Sequence, residues 1–223
     1  MPYTVDCIGN NRLLIIGASG HGKVVADIAI STGSYREIAF LDDDESIREC
    51  MGFHVLGSTG KLADFVADYE MVVAIGNAQI RQRIMNQIDA VNGKIATLVH
   101  PKAVISQYAK IGEGTVVMPG AVINADTVIG RGCIINTAAT VDHECRISNY
   151  VHVSVGAHLA GSVVVGERSW VGIGAVVSNN LTVCADCMIG AGAVVVNEIS
   201  KPGTYIGIPA RLQVNNSKGK QNS

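Results

Sequence analysis

Aromatic residues make up only 4% of this sequence, with one Trp and three Phe. A core without them has to be filled by Val, Ile and Ala, and hydrophobic residues still reach 48% of the 223 residues. That supply, with 25 Gly for tight corners, suits thin stacked β-layers better than a jelly roll or a helical bundle. No run of Lys and Arg occurs and the formal net charge is −2, so nucleic acid is not an expected partner. No apolar stretch is long enough for a membrane-spanning helix. The first residues, MPYTVDCIGNNR, have no basic segment followed by an apolar one, so no signal peptide is expected and the location read from the sequence is cytoplasmic. The length allows one large or two small domains.

The six cysteines, at positions 7, 50, 133, 145, 184 and 187, are read as reduced. Cys184-Ala-Asp-Cys187 forms a C-x-x-C, but neither a second ligand pair nor a thioredoxin-like context accompanies it. Cys187, like Cys133 and Cys145, is expected to fill a small slot in a repeat.

That repeat begins at Val99. Every sixth residue from Val99 to Val195 is aliphatic, and all but Leu159 are Val or Ile, with no insertion or deletion. Four residues after each lies a mostly small column, including Thr115, Ala121, Thr127, Cys133, Ala139 and Cys145. A short strand followed by a tight corner, three times over, closes a triangular coil of about 18 residues. Coils stack at about 4.8 Å, the normal interstrand spacing. The expected fold for residues 99–211 is a left-handed parallel β-helix of hexapeptide repeats, with no loop thrown out of it.

Residues 13–98 read differently. Short apolar runs at Leu13–Ile16, Ile38–Leu41 and Met71–Ile75 alternate with helical patterns at 23–31 and 78–90, which predicts a small parallel, Rossmann-like sheet. The turn Gly17-Ala-Ser-Gly-His-Gly22 is G-x-x-G-x-G rather than the dinucleotide fingerprint. It still offers free N–H groups to an anion at a helix start. Acidic residues 42–44 end the second strand, where a ribose or base is read in such folds. The division expected is an α/β nucleotide-sugar-binding domain over 1–98, the β-helix over 99–211 and a flexible tail over 212–223.

Together, LLIIGASGHGKVVADIA, AFLDDD, VAIGNAQIRQRI and NTAATVDHECRISNYVHVSVGAHLAG resemble the PglD/NeuD-like bacterial sugar acetyltransferases, over about residues 12–211. The resemblance implies acetyl-CoA as co-substrate, no metal, a homotrimer, and a role in making building blocks for surface and glycoprotein glycans. The nearest branch N-acetylates the 4-amine of UDP-4-amino-4,6-dideoxy-N-acetylglucosamine; another O-acetylates sialic acid. It implies His143 and Glu144 as the catalytic pair. Substrate contacts are implied at Gly20, His21, Asp42, Asp43, Asn77 and Asn136. His152, Gly161, Ala191 and Arg211 are implied on the acetyl-CoA side, Ala191 standing where some relatives have Gly.

The residues themselves add a reason. His143 is at a corner and faces away from the apolar axis, and Gly161 follows it by one coil, so a base and a backbone N–H share one edge. Three readings compete: an O-acetyltransferase of a sialic or related sugar, a γ-type carbonic anhydrase-like zinc enzyme using His143, His152 and His158, and a non-catalytic nucleotide-sugar binder.

Overall fold

A computed structural model of the chain describes residues 11–213. Cys7 and residues 214–223 of the expected tail lie outside them.

The N-terminal part is a four-stranded parallel sheet. Asn11–Ile16 lies between Tyr35–Leu41 and Glu70–Val73, and Lys94–Ile95 adds the outer strand. The strands are buried on both faces, as parallel strands must be when helices cover them. Helix α1, Gly20–Thr32, packs Val25, Ala26, Ile28 and Ala29 on one face of the sheet. Helix α2, Ala78–Ala90, packs Ile84, Met85 and Ile88 on the other. Helix α1 starts three residues earlier than the periodicity suggests, because Gly22 belongs to its first turn. A Cβ there would sit 2.0 Å from the Gly17 carbonyl oxygen, so only Gly lets the helix close over the preceding turn.

The C-terminal part is the β-helix. Two-residue strands from Leu98–Val99 onward pair in parallel with the strand 18 residues later, as in Val117↔Ile135 and Val141↔Leu159. Three flat faces result. The first runs through Leu98, Val116, Ile134, His152, Trp170 and Met188; the second through Val104, Val122, Thr140, His158 and Val176; the third through Lys110, Val128, Arg146 and Val164. Both six-residue columns point inward and form one core, with Val117, Ala121, Cys133, Val141, Ala157 and Val171 fully buried.

Every corner from Gly114 to Gly192 places its fourth residue at positive φ. Glycine takes this at 114, 120 and 132, but Asp126, Ala138, Glu144 and Tyr150 take it as well. Each such residue costs roughly 1–2 kcal/mol, offset by the stacking of aligned corners above and below.

The two parts share a core. Leu98, Val116, Met118 and Ile134, outward residues of the first face, pack with α1 and the sheet. The last coil is closed by Gly203–Ile206, which pairs with Cys187–Ile189, and by an antiparallel strand at Arg211–Leu212. Of the expected tail, residues 212 and 213 belong to the closing strand pair, since Leu212 pairs with Tyr205 and the Gln213 N–H donates to the Thr204 carbonyl. Among the described residues no helix is long and apolar enough to cross a membrane.

Candidate active site

His143 sits at the corner between the second and third faces. Its backbone N–H donates to Asp142 Oδ1 at 2.8 Å, and Asp142 Oδ1 also accepts from the Asn124 amide at 2.7 Å. Those bonds hold the Asp142 carboxyl below its usual range, the Asn124 contact first. The imidazole Nδ1 lies 3.0 Å from Glu144 Oε2, and Ser162 Oγ donates to the same oxygen at 3.4 Å. A carboxylate can only accept, so Nδ1 carries the proton and Nε2 presents its lone pair. Among the described residues Nε2 has no partner.

Gly161 lies directly beneath that ring. A Cβ at 161 would be 2.5 Å from both Cε1 and Nε2 of His143, so any side chain would displace the base. The Gly161 carbonyl accepts from Asn180, while its N–H has no acceptor among the described residues. A free lone pair and a free N–H therefore share one edge. Beside them, on the second face, lies a groove of about 270 Å³ lined by Val122, Asn124, Thr140, His158 and Val176.

The other residues named from the sequence lie elsewhere. His152 is on the first face, under the N-terminal part, 7% exposed. The Thr137 N–H fixes the Asn136 amide by donating to its oxygen at 2.8 Å, so the Asn136 nitrogen faces His152 Nε2 at 3.0 Å. His152 must then accept at Nε2 and carry its proton on Nδ1, which is buried and has no partner among the described residues. Trp170 stacks on it, ring centroids 4.4 Å apart. Burial, and then the Arg81 guanidinium, lower His152 to about 3 and His21 to about 4. Both rings are neutral at pH 7.

Gly20, Asp42, Asp43 and Asn77 follow the carboxyl ends of three neighbouring strands, Asn11–Ile16, Tyr35–Leu41 and Glu70–Val73, where ligands bind in open α/β sheets. Part of their hydrogen-bonding capacity is used locally. Asp42 Oδ2 accepts from the Ala18 N–H at 2.6 Å, Asp43 Oδ1 from Thr59, and Asn77 Oδ1 caps α2 through the Ile80 N–H. The Asn77 amide nitrogen makes no hydrogen bond among the described residues, and Asn77 lines a cavity of about 300 Å³ with Gly76, Arg168, Trp170 and Met188. Ala191 stands on a third edge, after the first face, with Val155 and Ile173 two and one coils before it. Arg211 is exposed in the closing strand.

Within one chain, then, the structure joins His143 with Glu144 and Gly161, and His152 with Asn136, but does not bring the two groups together. The corner of His143 is opposite the face that the N-terminal part covers. Nor do His143, His152 and His158 converge: His158 is on the second face and bonds Thr140. No cluster of three metal-ligating side chains occurs among the described residues.

Sequence reasoning missed Arg81. It is 1% exposed and has no carboxylate partner among the described residues. Instead it donates to four carbonyls: Ile75 and Gly76 in the N-terminal part, and Gly132 and Tyr150 on the β-helix. Burial lowers its pKa to about 10, still charged at pH 7. The signal was present, since Ile84, Met85 and Ile88 put residue 81 on the apolar stripe of α2.

Residues 12–88 match the model of the PglD N-terminal domain, and residues 108–143 that of the bacterial transferase hexapeptide repeat. The acetyltransferase domain of PglB from Neisseria gonorrhoeae is 44% identical over 92% of this chain and 100% of that one, with a TM-score of 0.89. The chain belongs to the PglD-like family of hexapeptide-repeat acetyltransferases. The Neisseria domain has also been solved with acetyl coenzyme A. Perosamine N-acetyltransferase from Caulobacter crescentus, solved with CoA and GDP-perosamine as a histidine-to-asparagine variant, is 35% identical over 93% of this chain and 99% of that one, TM-score 0.88. A UDP-N-acetylbacillosamine N-acetyltransferase of Bacillus subtilis is 38% identical over 108 residues, 47% of this chain, so the match spans about half of that protein's length.

Proposed function

We propose that this member of the family is an acetyl-CoA-dependent N-acetyltransferase acting on the 4-amino group of a UDP-linked amino-dideoxy sugar, a cytoplasmic step in bacterial glycan biosynthesis. The observation that carries the reading is the edge where the His143 Nε2 lone pair and the Gly161 N–H stand side by side. The relatives that bind acetyl-CoA or a nucleotide-linked amino sugar support the choice of substrates.

His143 Nε2 takes a proton from the sugar amine, and Glu144 holds the other ring nitrogen and stabilises the imidazolium. The amine nitrogen attacks the thioester carbonyl carbon, and the developing oxyanion is held by the Gly161 N–H. The C–S bond breaks, and the imidazolium returns its proton to the departing thiolate. The amine is itself the nucleophile, so no acyl-enzyme forms.

A complete site requires a second copy of the chain. His143 faces away from the N-terminal part of its own chain, so the sugar nucleotide held by Gly20, His21, Asp42, Asp43 and Asn77 of one copy reaches the His143 of another. The exposed apolar residues of the second face, Val104 and Val176, fit a threefold assembly with CoA in the groove between neighbours, near Ala191 and Arg211. Subunits carrying His143→Ala, mixed with subunits carrying Asn77→Ala, are expected to recover activity that neither variant has alone.

The direct test follows free-thiol release from acetyl-CoA with UDP-4-amino, GDP-4-amino and sialic acid acceptors. Turnover with the UDP-4-amino sugar is the expected result. Turnover only with a GDP sugar changes the nucleotide, and turnover only with a sialic acid moves the acceptor from nitrogen to oxygen.

A further inference from the structure

We propose that Cys184 and Cys187 are a reversible dithiol–disulfide pair, oxidised by low-molecular-weight disulfides of the glutathione type. Their sulfurs lie 3.4 Å apart across one corner. Residues 184–187 form a turn with Asp186 at φ 57°. A four-residue turn brings its end Cα atoms within about 7 Å, which overlaps the 4.4–6.8 Å separation that a disulfide needs.

The other cysteines of the same column show what is different here. Cys133 and Cys145 each donate to a carbonyl 15 residues on, Ser148 at 3.1 Å and Ala160 at 3.2 Å. Cys187 has no such partner, because the regular coil ends above it. Its best carbonyls are Lys201 and Ala185, at 3.6 and 3.7 Å, and the Cys184 thiol is nearer than either. The corner itself is pinned. The Ser169 hydroxyl donates to the Cys184 carbonyl at 2.9 Å and accepts from the Cys187 N–H at 3.0 Å, so the two sulfurs are held on one side of the turn.

The order of reaction follows from burial. Cys184 is partly exposed, whereas burial and then the Cys184 thiol raise the Cys187 thiol well above its ordinary value. The Cys184 thiolate attacks one sulfur of the small disulfide and releases the other half as a thiolate. Cys187, giving its proton to solvent, then attacks Cys184 Sγ in the mixed disulfide and releases the second thiol. Two electrons pass from the cysteine pair to one small disulfide, which becomes two thiols. Cys187 also lines the cavity that holds Asn77 and Trp170, so the oxidation state changes one wall of it.

The test reads thiols rather than acetyl transfer, and so is independent of the function proposed above. The full-length protein is incubated with glutathione disulfide, quenched in acid, alkylated and mapped by peptide mass. Cys184 and Cys187 are expected to escape alkylation together, in a linked peptide two hydrogens lighter, and to return with dithiothreitol. Cys187→Ser should trap glutathione on Cys184, and Cys184→Ser should leave Cys187 unmodified. Ser169 occupies the same column one coil earlier, so Ser at 187 suits the fold. Alkylation of both cysteines after that treatment, or a link from either to a different cysteine, overturns the proposal.

Discussion

Two histidines nine residues apart have opposite surroundings. His143 stands exposed on a corner, its ring over a glycine, one nitrogen held by a carboxylate and the other free. His152 lies in a strand beneath the N-terminal part, its Nε2 bonded to an amide, its face covered by Trp170, its Nδ1 buried and unpartnered among the described residues. The first presents an open ring nitrogen at the surface; the second is kept neutral and fixed in place. One repeat produces both, because a hexapeptide alternates solvent corners with strand positions that a neighbouring layer can cover. Reactivity in this fold is therefore set by the place in the coil as much as by residue type.

The comparison breaks most sharply at His143. His143→Ala should leave the fold intact and lower turnover at least about 100-fold, the usual range for loss of a general base. Circular dichroism and initial rates check both halves, and a fully active variant removes His143 from the role. A smaller effect is expected from Gly161→Ala. Its Cβ would meet the ring at 2.5 Å, and the exposed ring can swing aside at little cost in stability. A displacement of about 1 Å can cost up to about 100-fold in rate, so kcat should fall while the melting temperature hardly changes.

On the buried side the prediction concerns stability. Arg81→Met should destabilise the protein by about 3 kcal/mol or more, because it strips four carbonyls of their donor at the junction of the two parts. Urea titration of the variant measures this. A change under about 1 kcal/mol would mean that water replaces the guanidinium.

The β-helix was legible because its period never slips from Val99 to Val195, and the His143–Gly161 edge followed from a separation of one coil. The corners were less so. Ala138, Tyr150 and Arg168 adopt positive φ without belonging to the usual turn residues, because stacking against the coils on either side overrides local preference. Arg81 and Trp170 were placed by spacing, the first on the apolar stripe of α2 and the second one coil after His152. What no spacing records is that the N-terminal part docks on the first face and sets the Arg81 guanidinium between carbonyls of both parts. The opposition of His143 to that part likewise becomes visible only when the three faces are assigned.

The smallest expected effect separates the two histidines by pH. An imidazole in an unfolded chain titrates near 6.5, whereas His152 is lowered to about 3 and His21 to about 4. Between those values the unfolded state binds more protons, so stability is fully present above about pH 6.5 and is lost as the pH falls toward 4. At about 1.4 kcal/mol per unit, going from pH 7 to pH 5 should cost about 2 kcal/mol for each buried ring. Urea midpoints at the two pH values measure the loss, and the carboxylates contribute a background common to all variants. His152→Phe keeps an aromatic ring against Trp170 and has no proton to gain, so it should recover about half of the histidine-dependent loss. His143→Ala serves as the control from the exposed corner. Equal losses in wild type and His152→Phe would mean that acid opens the junction locally and protonates the ring without unfolding the chain.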